Sequence, residues 1–398
     1  MRLAVTILVF CVAALLALGM VMLYSSSMVQ QGTHYLLMQL LWGGLGLSFC
    51  LAATLVDYRW LRKAAWPLLG LAVILLALVL EQHPINGARR WIVMGGFRFQ
   101  PSELAKLSLI IALAWYGERY QRQMDGWKRG ILLPGLFISL VLALVYVEPD
   151  RGTTILLAGV SGTVLLLAGV RWRLILPPVV LGVAAFGFSI LNDPMRTRRI
   201  FGWLHLEEHK SGVSYQAYEA MLALGAGGWT GLGLGNGRQK YGFLPEHHTD
   251  FIFSMIGEEL GFLATLLVVA AFVCILLSGI YIALRAPDTF GLLLGCGIAF
   301  MIGLQAFINI GVVTSVLPNK GLPLPFISYG GSNLLMMLTS VGVLLSIARQ
   351  SGGEMMGGNA AGREGLPGVR RARNPFKDAD SDNRRSRTAQ PLPAAALS

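Results

Sequence analysis

The sequence predicts an all-α polytopic membrane protein of about ten transmembrane helices, with a large extracytoplasmic loop between the seventh and the eighth. Three observations carry this prediction. Hydrophobic residues make up 55% of the 398 and charged residues only 13%, about half the charge of an ordinary soluble domain. The apolar residues gather in runs of about 20, the length a helix needs to cross a bilayer core. The charges are bunched between those runs, and mean hydropathy is +0.61.

The runs at 3–24, 35–56, 64–80, 101–116, 130–147, 154–170, 174–191, 251–284, 289–312 and 331–348 are read as the spans. Arg2 followed by an apolar run has the look of a signal peptide. That run is too long for a typical signal core and lacks a small-x-small cleavage site, so it is read as the first span. The fourth starts at Pro101, whose fixed φ and missing N–H suit a first helical turn. The eighth exceeds what a span needs and is expected to tilt or project. Cys11, Cys50, Cys274 and Cys296 each lie inside an apolar run, form no CxxC pair, and are read as small packed side chains.

Ten spans put both termini on one side. Lys and Arg favour the loops that would share that side, which predicts both ends in the cytoplasm. The connection 192–249 is then external. It holds a short amphipathic stretch, Tyr218–Leu224, expected at the interface, followed by many glycines. From residue 350 the chain turns rich in Gly, Ala, Arg and Pro. The division is therefore 1–349, a transmembrane domain, and 350–398, a disordered cytoplasmic tail.

Four polar clusters fall on the external side: "GARRWIVMGGFRFQPSELAK" (87–106), "EPDRGT" (148–153), "EHHTD" (246–250) and "LPNKGLPLPFISYGGS" (317–332). Irregular backbone at membrane depth needs cover from protein or a wet cavity, so one outward-facing cavity lined by all four is expected. Each residue also has a plainer reading. Asp250 precedes an apolar helix and would serve as an N-cap. Glu103 and Lys106, three residues apart, would form a structural ion pair. Glu258 and Glu259 are adjacent and cannot face the same way on a helix, so one is expected to meet a cation or a backbone donor. His247 and His248 with Asp250 have poor spacing for a metal. Lys320 would be a solvated loop lysine or a ligand contact.

Taken together, "RRWI…QPSELAK", "EPDRGT", "HTDFIF…IGEELG" and "LPNKGLPLPFISYGGS" resemble, in order and spacing, the SEDS family of cell-wall polymerases (shape, elongation, division and sporulation). The resemblance runs from the first span to Arg349. It implies ten membrane helices and a peptidoglycan glycosyltransferase that polymerises lipid II at the outer face of the cytoplasmic membrane. "GARRW", "IGEELG" and Lys320 in "LPNKGL" resemble the division type, FtsW, more than the elongation type, RodA. One departure stands at Arg151, where the family usually has an apolar residue. By motif match the resemblance implies Asp250 as the catalytic carboxylate. Lys106, Glu103, Arg89, Arg90, Lys320, His248 and Ser328 would then contact a substrate that is half lipid and half sugar diphosphate. It implies no cofactor; a divalent-cation requirement is not legible. The expected partners are lipid II, a class B penicillin-binding protein transpeptidase and other division proteins, and no nucleic acid. The expected location is the inner membrane, at the division septum. A lipid II flippase is the competing class, but it would want polar residues through both leaflets, whereas polarity here gathers on one side.

Overall fold

The computed structural model describes the chain except residues 85–87, 95–96, 206–211, 213, 242–247, 320 and 362–398. Lys320, His247 and the tail beyond Ala361 therefore lie outside the described residues. The chain divides into two units, Met1–Glu354 and Met355–Ser398.

All ten predicted segments are helical. They are α1 (Arg2–Gln31), α2 (His34–Leu55), α3 (Leu61–Val79), α4 (Pro101–Tyr120), α5 (Leu133–Val147), α6 (Arg151–Leu167), α7 (Trp172–Leu191), α10 (Ile252–Leu284), α11 (Thr289–Val313) and α12 (Gly331–Ala361); α8 (Pro194–Leu204) and α9 (Tyr215–Gly227) lie in the long connection. Among the described residues eight helices are long and apolar enough to cross a membrane. The other two spans are α4, which carries Glu103, Lys106, Glu118 and Arg119, and α6, which has 17 residues. Both sit inside the bundle, where neighbouring helices rather than lipid meet their polar groups. Nearly every residue of α4 from Pro101 to Gly117 is buried, as is most of α11. In contrast α7 has no buried residue, as expected of a helix surrounded by lipid.

Lipid offers no hydrophobic drive between helices, so close backbone approach at small residues does the packing. At the α10–α11 crossing a Cβ on Gly279 would stand 2.7 Å from the Ala299 Cβ, and one on Gly295 2.8 Å from the Ala283 Cβ. Three features add detail to the sequence expectations. The first cluster contains a β-ribbon, β1 (Ile92–Met94) antiparallel to β2 (Phe97–Phe99). The stretch expected as an interfacial helix is α9. It buries Ala217, Ala220, Ala223 and Gly227 and packs against α10. And α12 extends to Ala361.

Candidate active site

The long α10 is two helices. At Gly261 φ is 80° and ψ −177°, a conformation open to glycine almost alone. The break creates a half-helix, Ile252–Leu260, headed by Asp250 and Phe251, and a membrane-spanning remainder from Phe262. Opening a helix frees carbonyls on one side and amides on the other. The glycine-rich strap that follows α9 takes both sets. Leu232 and Gly233 amides donate to the Glu258 and Glu259 carbonyls at 3.0 and 2.9 Å, and the Phe262 amide donates to the Gly228 carbonyl at 2.9 Å. A Cβ on Gly231 would lie 2.2 Å from the Glu259 carbonyl oxygen, so the strap must be glycine there.

Both glutamates serve that strap, and Glu259 meets the cation and the backbone donors expected of one of the pair. The Glu259 carboxylate, fully buried, accepts from Ser25 Oγ of α1 (2.6 and 2.8 Å), from the Gly235 and Gly237 amides (3.0 and 3.3 Å) and from Lys240 Nζ (3.0 Å). Glu258 accepts from the Arg238 amide at 2.7 Å and the Gln239 amide at 3.4 Å. Adjacent side chains on a helix point about 100° apart, but a loop that wraps the helix end can meet both.

At the other end of the half-helix, Asp250 is half-buried. The helix begins one residue later, with Phe251 in the N-cap position. The fourth cluster passes directly over the Asp250 carboxylate: a Cβ on Gly321 would sit 2.5 Å from Asp250 Oδ2. This loop and the Asp250 backbone are tied to α11 by one side chain. Asn309 Nδ2 donates to the Asp250 carbonyl at 2.9 Å and to the Leu322 carbonyl at 2.7 Å. One turn away, Gln305 Nε2 donates to the Pro323 carbonyl at 2.9 Å and its Oε1 accepts from Lys106 Nζ at 2.8 Å. Lys106 in turn pairs with Glu103 at 2.6 Å.

The second cluster completes the rim. Asp150 caps α6, accepting from the Thr153 amide and hydroxyl at 3.1 and 3.0 Å, and takes Gln100 Nε2 at 3.0 Å. Gly152 lies against Leu322, 2.8 Å from a built Cβ to its Cγ. Arg90 donates to the carbonyls of Glu148 and Pro149. The Glu148 carboxylate is buried, with neither oxygen hydrogen-bonded among the described residues. Burial, and then Asp150 beside it, push its pKa up to about 8, against the pull of Arg90.

The expected site residues therefore sort by placement. Asp250 and the Gly321 backbone meet at the mouth. Arg90 reaches the rim, and Arg89 is exposed with one nitrogen on the Leu80 carbonyl at 2.8 Å. Of the other expected substrate contacts, Glu103, Lys106 and Ser328 are buried and His248 is half-buried. Glu103 and Lys106 are 1% exposed and satisfy one another, since an ammonium at this depth needs a paired carboxylate. Ser328 spends its hydroxyl on backbone, donating to the Thr249 carbonyl at 2.6 Å and accepting from the Leu324 amide at 2.7 Å. His248 stacks on Tyr35 with ring centroids 4.6 Å apart, and its carbonyl accepts from the Tyr329 amide at 3.0 Å. No group of three or more metal-ligating side chains occurs among the described residues. Sequence reading missed Gln305 and Asn309, two buried polar residues spaced i, i+4 on one face of an apolar span. That spacing was the available signal.

The arrangement is a carboxylate at the head of a half-helix, its backbone held by Asn309 and its oxygens overlaid by a Pro/Gly loop. Such a group can accept a proton from, or orient, a hydroxyl presented there.

Comparison with known proteins agrees with this architecture. The FtsW/RodA/SpoVE family model, described as "Cell cycle protein", matches residues 6–352. A "Probable peptidoglycan glycosyltransferase FtsW" from Geobacter metallireducens is 39% identical, over 85% of this chain and 93% of that protein. "Stage V sporulation protein E" of Bacillus subtilis is 37% identical, over 87% and 97%. A chain solved in work on the "structural coordination of polymerization and crosslinking by a peptidoglycan synthase complex" superposes with a TM-score of 0.75 at 32% identity, covering 86% of this chain and 97% of that one. The rod shape determining protein RodA of Thermus thermophilus superposes at 0.64 with 30% identity, covering 86% and 96%. The protein is thus an integral membrane protein, and the chain belongs to the FtsW/RodA/SpoVE family.

Proposed function

We propose that this protein is a division-type peptidoglycan glycosyltransferase that polymerises lipid II at the outer face of the inner membrane, with Asp250 as its general base. The observation that carries the reading is the placement of Asp250 at the head of a half-helix, under the Gly321 backbone. In the reaction the 4-hydroxyl of an acceptor sugar attacks the anomeric carbon of the donor. The new bond joins that oxygen to the carbon, the bond from the carbon to the diphosphate oxygen breaks, and the hydroxyl proton passes to Asp250. The polyprenyl diphosphate leaves with the electron pair. Arg89, Arg90 and Lys320 are the proposed counter-charges for that leaving group. Glu103, Lys106, Gln305 and Asn309 hold the loop and the Asp250 backbone in register rather than touching substrate. In this reading both termini are cytoplasmic, the protein acts at the septum, and a class B penicillin-binding protein crosslinks the strands it makes.

The test is polymerisation of purified lipid II by the full chain in liposomes, alone and with the transpeptidase. Long glycan strands are expected, with more in the presence of the partner. Transbilayer movement of lipid II without polymer would assign the protein to the flippase class instead.

A further inference from the structure

We propose that an apolar cavity beneath the half-helix holds the isoprenoid chain of the donor, the growing strand, while its anomeric carbon reacts; this rests on the polymerase reading above. The cavity measures about 300 Å³ and is bounded by Leu224 of α9, Phe253 of the half-helix, Phe262 and Leu266 below the break, and Ile310 and Thr314 at the end of α11. It lies where the chain breaks at Gly261, with its lining drawn from both sides of the break. Its two threonines offer it no free hydroxyl. Thr265 Oγ1 donates to the Phe262 carbonyl and Thr314 Oγ1 to the Ile310 carbonyl, both at 2.8 Å. Phe262 and Leu266 are half exposed, at 51% and 52%, so the cavity opens sideways into lipid. A wet polar ligand is excluded by this lining, while a flexible hydrocarbon arriving from the bilayer suits it.

Connectivity chooses the donor. In the donor, the reacting carbon bears the diphosphate directly, and the first isoprene follows at once. In the acceptor, the reacting hydroxyl is separated from its diphosphate by the whole disaccharide. Phe253, in the cavity wall, follows Asp250 by three residues, about one helical turn. A hydrocarbon site so near the base matches the shorter arm, the donor's.

The test uses a polyprenyl-diphosphate glycan that carries a diazirine on its isoprenoid and lacks the terminal 4-hydroxyl, so that it serves only as donor. It is added to the full chain carrying Asp250→Asn, which binds without turnover. Label is expected on peptides holding Phe253 or Phe262, and Val269→Trp, which fills the cavity, is expected to cut it at least about fivefold. In the Asp250 background, Val269→Trp should lower use of a prenyl-diphosphate donor about tenfold and leave a methyl-diphosphate donor, which has no isoprenoid to seat, unaffected. Label confined to other helices overturns the proposal. So does label from an unmodified lipid II probe but not the donor-only one, or equal loss with the prenyl and the methyl donor. Labelling of the cavity together with a wild-type protein that makes no polymer would support the site and count against the polymerase reading.

Discussion

The strap that closes the broken helix is held by one buried ion pair, and Glu259→Gln tests it. In the wild type five hydrogen bonds from four donor groups converge on a carboxylate with no solvent exposure, and Lys240 beside it is 2% exposed. The glutamine keeps the volume and one acceptor oxygen. It loses the charge and turns an amide nitrogen toward amides or an ammonium that have nothing to accept with. Lys240 retains the Gly235 carbonyl at 2.6 Å and Ser25 Oγ at 3.3 Å but loses the carboxylate it pairs with. Removing one partner of a buried pair costs about 3–5 kcal/mol, much of it the stranded charge. Glu259→Gln should therefore lower stability by that amount, and lower polymerisation, because the half-helix headed by Asp250 loses its anchor. The double variant Glu259→Gln/Lys240→Met removes the stranded cation and should recover about 1–3 kcal/mol of the loss. Unfolding in detergent, followed for wild type, both single variants and the double, measures each figure. A single variant within about 1 kcal/mol of wild type, or a double no better than the single, would refute the reasoning.

Gly261→Ala should cost at least about 3 kcal/mol. Its Cβ would stand 2.4 Å from the Gly231 amide nitrogen and 2.6 Å from the Trp229 carbonyl oxygen; recovery of wild-type protein levels and unfolding midpoint would contradict the break. Glu148, with its pKa raised from 4.5 to about 8, contributes stability that is fully present below pH 4.5 and lost as pH rises through 8. Glu148→Gln should flatten that fall by on the order of 3 kcal/mol, and parallel midpoints for both proteins between pH 5 and 9 would refute it. Lys320→Arg should keep part of the activity and Lys320→Met should lose most of it, since charge matters more than shape for a diphosphate. Equal polymerisation by Lys320→Met and wild type would return the lysine to an ordinary loop role.

The spans were legible because a bilayer imposes one length and one polarity on every crossing. The segment 101–116 stood out despite Glu103 and Lys106, since Pro101 announces a helix start. The break inside α10 was not legible. The run 251–284 has several glycines, and only the strap, many residues earlier, decides that Gly261 is the one forced out of the helix. The β-ribbon carried a signal that went unread: "IVMGGFRF" has alternating residues around Gly-Gly, a hairpin pattern. At the site, Asp250 was reached through its motif, because residue type alone gave it a capping role as readily as a chemical one. Lys106 and Ser328 could not be turned inward from sequence. Whether a lysine at the head of a span meets substrate or a glutamine depends on α11, about 200 residues away, and Gln305 reads as a lone polar residue until that helix is placed.

Asp250→Asn measures most directly whether Asp250 does chemistry. The asparagine keeps the size, and the Asp250 backbone carbonyl still accepts from Asn309, so the fold should be untouched. With lipid II in liposomes, the account predicts a variant that reaches the membrane at wild-type level, unfolds at the wild-type midpoint and makes no glycan strands, a loss of at least about 100-fold. A folded Asp250→Asn protein that polymerises within a few-fold of wild type would contradict it.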